Sequence, residues 1–234
     1  MDERTWRRVG AWTGIGYVVL SVLATFLYPQ APRVDSNPAV VLRWAHNHRA
    51  GLEAGMVLGI FGALLFLWFV SYLRLRLDGS GHDAMGSVLY GSGIAFVALS
   101  VLGGIPYVAL VFMDGQPGGL NDSALVRLLN DLGQMLFAPT AGLTAVFLVA
   151  VGLMVLTSRI LPSALGWAAI VLSVLNAIEV VTALTFSSYH AGAWTAVAWV
   201  SFLGFLVIVL ATSIAIMRPG RTAPTAAAES VLTS

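Results

Sequence analysis

Six apolar runs, each about as long as a bilayer's hydrocarbon core is thick, constrain this chain more than any motif in it. They cover about residues 9–27, 51–73, 84–112, 132–157, 163–186 and 192–217, and a helix needs roughly 20 such residues to cross about 30 Å of hydrocarbon. With 58% hydrophobic and only 10% charged residues, the chain holds more apolar side chain than a soluble core could bury. The expected fold is all-α: a polytopic membrane protein whose six transmembrane helices form one bundle domain over 1–217. The tail over 218–234, rich in Ala, Thr and Ser, is expected to be disordered.

The arginines give the spans a direction. Arg4, Arg7, Arg8, Arg74, Arg76, Arg159, Arg218 and Arg221 fall on one side of a six-span topology, and Arg33, Arg43, Arg49 and Arg127 on the other. Basic residues are retained on the cytoplasmic side, so both termini are expected there. No small-residue cleavage site follows the first run, which reads as an uncleaved helix rather than a signal peptide.

Two stretches outside the membrane carry helix signals. Asn37-Pro38 opens a short amphipathic helix with Trp44 as interfacial anchor, expected to run on into the second span. Asp122 or Ser123 caps another, with Leu125, Leu128, Leu129 and Leu132 expected on its apolar face. Kinks are expected near Gly103, Gly104 and Pro106 and at Pro139, and both prolines should face protein, where freed carbonyls find partners. Gly10 and Gly14, and Gly51, Gly55 and Gly59, recur every four residues. Such small-residue stripes let helices approach closely, within one chain or in a homo-oligomer.

The candidate site residues are the polar ones at membrane depth. Glu179 sits roughly 10 Å inside the outer end of the fifth span, with Asn176 and Thr182 on the same helical face. An intramembrane carboxylate is a functional candidate by default; the alternative is a neutral Glu179 that fastens helices together. Glu53, His46, His48, Arg49, Asn130, Asp131, Gln134 and His190 gather toward the same outer boundary. Glu53 and Glu179 are candidate acid and base, if they meet. Asn176, Thr182, His46, Arg49, Asp131 and Gln134 are candidate ligand contacts.

A metal centre is not expected. His46 and His48 would diverge by about 200° on a helix, and the spacing is not the i, i+4 pair of zinc helices. Arg49 and Glu53, at i, i+4, are expected to form an ion pair. No cysteine is present, and no P-loop, dinucleotide, zincin or nucleophile-elbow motif occurs, so no cofactor is implied. No basic-aromatic surface points to nucleic acid.

The segments Arg43-Trp44-Ala45-His46-Asn47-His48-Arg49 and Arg159-Ile160-Leu161-Pro162-Ser163-Ala164-Leu165-Gly166-Trp167, with the Asn130-Asp131-Leu132 stretch and the alanine-rich span between, resemble a family of small bacterial six-helix integral membrane proteins of the domain-of-unknown-function kind. The resemblance implies the architecture and a bacterial inner (plasma) membrane, and it supplies no reaction. The leading functional expectation is a non-enzymatic protein binding a lipid, a small hydrophobic ligand or a partner protein in an outward-facing intramembrane cavity. An intramembrane enzyme acting on a lipid or isoprenoid through Glu53 and Glu179 is the alternative, and a small transporter the third.

Overall fold

The computed structural model describes residues 3–34, 36–77, 83–114, 122–158, 160–185 and 193–217. Among them are seven helices: α1 (Glu3–Leu27), α2 (Pro38–Asn47), α3 (Arg49–Leu77), α4 (Asp83–Asp114), α5 (Ser123–Ser158), α6 (Ser163–Thr185) and α7 (Ala193–Met217). All but α2 are long and apolar enough to span a bilayer, because only a helix or a closed barrel satisfies its backbone polar groups in hydrocarbon. The chain is therefore an all-α, multi-pass membrane protein. The expected tail at 218–234, together with His82 and His190, lies outside the described residues.

The six spans pack in chain order, α1 on α3, α3 on α4, α4 on α5, α5 on α6 and α6 on α7, and α7 returns to α1 to close a ring. The outer surface of the ring is apolar: Trp12, Phe26, Trp68, Val171 and Val207 are all exposed. That surface would be a liability in water and is the expected one against lipid tails.

Inside the ring the core divides in two. Toward the end that holds the chain termini, Phe66 is fully buried at the centre of an aromatic cluster. Its ring centroid lies 4.7 Å from Tyr17, 5.3 Å from Phe96, 5.5 Å from Phe147 and 5.7 Å from Phe205. At the opposite end, Val41 and Ala45 of α2 pack with Leu52, Tyr107, Leu110, Val111 and Val126 as a second, separate cluster. α2 is thus a lid helix, amphipathic because one face meets the bundle and the other does not.

Local signals account for the start and end of α2. The Asn37 side chain accepts a hydrogen bond from Ala39 N at 2.9 Å, and Pro38 occupies the first turn. The helix does not run on into α3, as the sequence suggests. It stops at Asn47, and His48, at φ −114° and ψ 16°, separates it from Arg49. At α5 the capping residue is Asp122, whose Oδ1 accepts from Ala124 N at 2.9 Å.

α5 is one unbroken helix of 36 residues, roughly 54 Å at helical rise, so its first turns project beyond the bilayer. The leucine face expected on those turns is split: Leu125 and Leu129 pack inward, whereas Leu128 and Leu132 are exposed. The inward stripe is Val126, Asn130, Gly133 and Gln134, because two side-chain amides find carbonyl partners there.

The two prolines also separate. Pro106 is buried as expected, and Pro139 is exposed. The pyrrolidine ring is apolar and can face lipid, whereas the carbonyl it frees, that of Met135, is the group that needs a partner.

The glycine stripes serve contacts within the chain. A Cβ at Gly10 would overlap the Tyr72 ring, one at Gly14 the Ser213 hydroxyl and Phe69, and one at Gly51 would lie 2.6 Å from Leu27 O. Gly59 differs, since a Cβ there meets nothing within 4 Å.

Candidate functional site

Between the two cores lies a cavity of about 580 Å³, within the 300–1,000 Å³ range usual for small-molecule sites. Its lining comes from the C-terminal halves of α1, α4 and α6 and the N-terminal halves of α3, α5 and α7. Consecutive spans therefore run in opposite directions around it. The floor is the upper edge of the aromatic cluster, Tyr17, Phe96 and Phe205, and Trp199 and Phe202 extend that aromatic wall along α7. Small residues open the space: Gly55, Gly59 and Ala63 on α3, Gly104 on α4, Ala141 on α5 and Ala198 on α7. Gly59 falls on the inward face between buried Gly55 and Ala63 yet is exposed, so its exposure is to the cavity.

The roof is the segment that joins α1 to α2. Tyr28, Pro29, Gln30 and Ala31 line the cavity from above, beside Tyr107. Two amides one turn apart on α5 hold this segment down. Gln134 donates Nε2–H to Pro32 O, and Asn130 donates Nδ2–H to Arg33 O at 3.2 Å. Tyr28 packs edge-on against Tyr107 with centroids 6.0 Å apart, and Trp44 of α2 closes on the same ring at 5.8 Å. Burial, with the nearby Tyr107 hydroxyl adding to it, pushes the Tyr28 phenol above its ordinary range. Tyr28 therefore presents a neutral hydroxyl to the roof.

Polar groups enter from the walls. On α6, Asn176 and Glu179 both line the cavity, Asn176 buried and Glu179 half-buried. Ser100, Thr140 and Thr144 face them from α4 and α5. Glu179 is the one acidic or basic side chain among the described residues of the lining. Thr182, expected on the same face, is buried but donates its hydroxyl to Glu179 O at 2.8 Å and does not reach the cavity.

The other candidates separate from this site. Glu53 does not join Glu179. Leu52 and Gly55 take the inward face of α3, which turns Glu53 outward, where its Oε1 accepts from Arg49 Nε at 2.9 Å in an exposed ion pair. His46 and His48 are exposed on and just after α2. Asp131 faces Arg127 at 3.7 Å and accepts from Asn130 Nδ2, outside the cavity lining. Gln134 does reach the cavity, and its amide also anchors the roof. Among the described residues no three His, Asp or Glu side chains converge as a metal site would require. Sequence reasoning missed the α7 aromatics and the roof. The Trp199, Phe202 and Phe205 spacing of three residues was the available signal.

No protein-family model, curated protein or solved structure matches this chain.

Proposed function

We propose that the protein binds a lipid or other small hydrophobic molecule in this cavity, with its roof facing the outside of a bacterial plasma membrane and both termini in the cytoplasm. The observation that carries the reading is the 580 Å³ space between two independently packed cores. The space is partly open to the surroundings of the bundle, which gives an occupant a way in. A mostly apolar wall with a few polar groups suits an amphiphile of modest size. The sidedness rests on the excess of arginines at the end opposite α2. The resemblance of segments 43–49 and 159–167 to small bacterial membrane proteins supports the membrane assigned.

Native mass spectrometry of gently solubilised protein tests the binding. A retained non-protein mass in the wild type that is lost in Gly59→Trp, whose indole takes up about a quarter of the cavity at its lining, is the expected result. Identical spectra for the two would refute it. Because the chain has no cysteine, Asn47→Cys and Leu75→Cys report sidedness cleanly: an impermeant thiol reagent on intact cells should label the first and not the second.

A further inference from the structure

We infer that the occupant is a membrane lipid, which enters sideways between α1 and α7 from the leaflet nearest α2 and lays one acyl chain in the cavity, an assignment that rests on the cavity being a binding site.

In the half of the bundle near α2, four seams of the ring are closed by glycines. A Cβ at Gly51 would lie 2.6 Å from Leu27 O and one at Gly55 2.9 Å from the Tyr28 ring, so α1 leans on α3. Gly104 of α4 sits against Met56 of α3, Gly133 of α5 against Tyr107 of α4, and Gly142 of α5 against Val180 of α6. α7 is held further toward the chain termini, where Gly204 meets Leu172 of α6, Ser213 meets Gly14, and Phe205 meets the Tyr17 ring edge-on at 6.2 Å. Beyond those contacts, toward α2, none of residues 19–27 of α1 and none of residues 196–200 of α7 is buried. α6, the other neighbour of α7, keeps Asn176 and Thr182 buried along the same half. Among the described residues, the seam left open is therefore the one between α1 and α7.

Both lips of this seam belong to membrane-spanning segments, Thr5–Leu27 and Ala196–Met217, so the opening faces acyl chains rather than water. The roof, by contrast, is tied to α5 through Asn130 and Gln134, which hinders entry from the aqueous side. Ser21, Ala24 and Thr25 on one lip and Ala198 on the other bring small side chains to the lining, and Trp199, 47% exposed, is the bulky one beside them. The hydroxyls of Thr25, Ser100, Thr140 and Thr144 donate to carbonyls of their own helices at 2.7–3.0 Å, so they can lie along a hydrocarbon chain without losing a partner. Size decides between a lipid and a protein segment. At roughly 30 Å³ per methylene, the share a water takes in its liquid, 580 Å³ holds one long acyl chain. A helix from a second copy, about 10 Å across, would fill that space with roughly five residues.

A photoreactive phosphatidylcholine, with a diazirine midway along one acyl chain, tests this when it is reconstituted with the full chain into nanodiscs, irradiated and mapped by peptide mass spectrometry. The expected result is adducts on Tyr17 and Phe205, which line the cavity and are buried from the outer surface of the ring, besides those on exposed residues such as Trp68 and Val171. Ala24→Trp, which sets an indole on one lip, should lose the interior adducts and keep the outer ones. Should that variant fail to fold, Ala198→Trp on the facing lip gives the same reading. Interior adducts that persist in both variants would overturn the α1–α7 entrance. Adducts confined to the outer surface of the wild type would overturn the lipid assignment; a retained mass that still disappears in Gly59→Trp would then leave the cavity as a site for another molecule, and absence of both signals would overturn the binding reading as well. Oxidation of Ala198→Cys in native membranes to a disulfide-linked dimer would set a second copy of the chain over the opening and likewise overturn the lipid assignment.

Discussion

Filling the cavity should stabilise the protein, and the size of the effect can be worked from two glycines of the same kind. Gly59 lines the cavity and has no atom within 4 Å of a built Cβ. An indole placed there occupies about 150 Å³, and at about 24 cal/mol per Å³ of cavity removed the gain has an upper bound near 3–4 kcal/mol. Ordering the new side chain costs about 1 kcal/mol, and replacing glycine within a helix returns about 0.5 kcal/mol. The net expectation for Gly59→Trp in ligand-stripped protein is about 1–3 kcal/mol, or a rise of about 2–12 °C in Tm for a chain of this length.

Gly14 is the counterpart. Its Cβ would lie within 2.6 Å of the Phe69 ring and overlap the Ser213 hydroxyl at the α1–α3–α7 seam. One methyl in Gly14→Ala should therefore cost about 1–3 kcal/mol. Intrinsic tryptophan fluorescence during heating reads both, since the chain has seven tryptophans. If Gly59→Trp lowers Tm as much as Gly14→Ala, the space beside Gly59 is not a cavity.

Other consequences follow from the same geometry. Phe66→Ala removes the centre of the aromatic floor and should cost about 3–5 kcal/mol, read as a lower Tm with helical content retained below it. Gln134→Ala releases Pro32 O and should cost about 1 kcal/mol; faster hydrogen exchange over residues 29–34 with exchange in α7 unchanged is the specific sign. Glu53→Gln breaks an exposed pair, so its effect on stability should stay below about 1 kcal/mol and its effect on ligand binding should be nil. A loss of binding in that variant would restore Glu53 to the site.

Much of the architecture was legible because lipid leaves few solutions. The six spans, the Asn37 cap of α2 and the Arg49–Glu53 pair all follow from length, capping chemistry and i, i+4 spacing. So did the inward aspect of Asn176 and Glu179, since a polar pair at i, i+3 in an apolar helix has to face protein. Glu53 was misplaced for a reason visible in the sequence itself. It lies two residues from both Gly51 and Gly55, about 200° around the helix from the stripe that packs inward.

An outward-facing cavity was expected, but its lining was not legible, because it is made where small residues of separate helices, Gly59, Gly104 and Ala141 among them, face one another. α7 is apolar on every side, so only the three-residue spacing of Trp199, Phe202 and Phe205 hints that these rings line one space. The roof depends on Asn130 and Gln134 reaching a segment about a hundred residues away in sequence. That contact exists only once the ring has closed.

Electron density of the protein purified from its own membrane into nanodiscs shows whether an amphiphile-sized site between the two cores is occupied. Non-protein density bounded by Tyr17, Ser100, Glu179 and Trp199, beneath a roof held by Gln134, is the expected result. A cavity closed by direct contact between Trp199 and Tyr17, with no density between them, would contradict it.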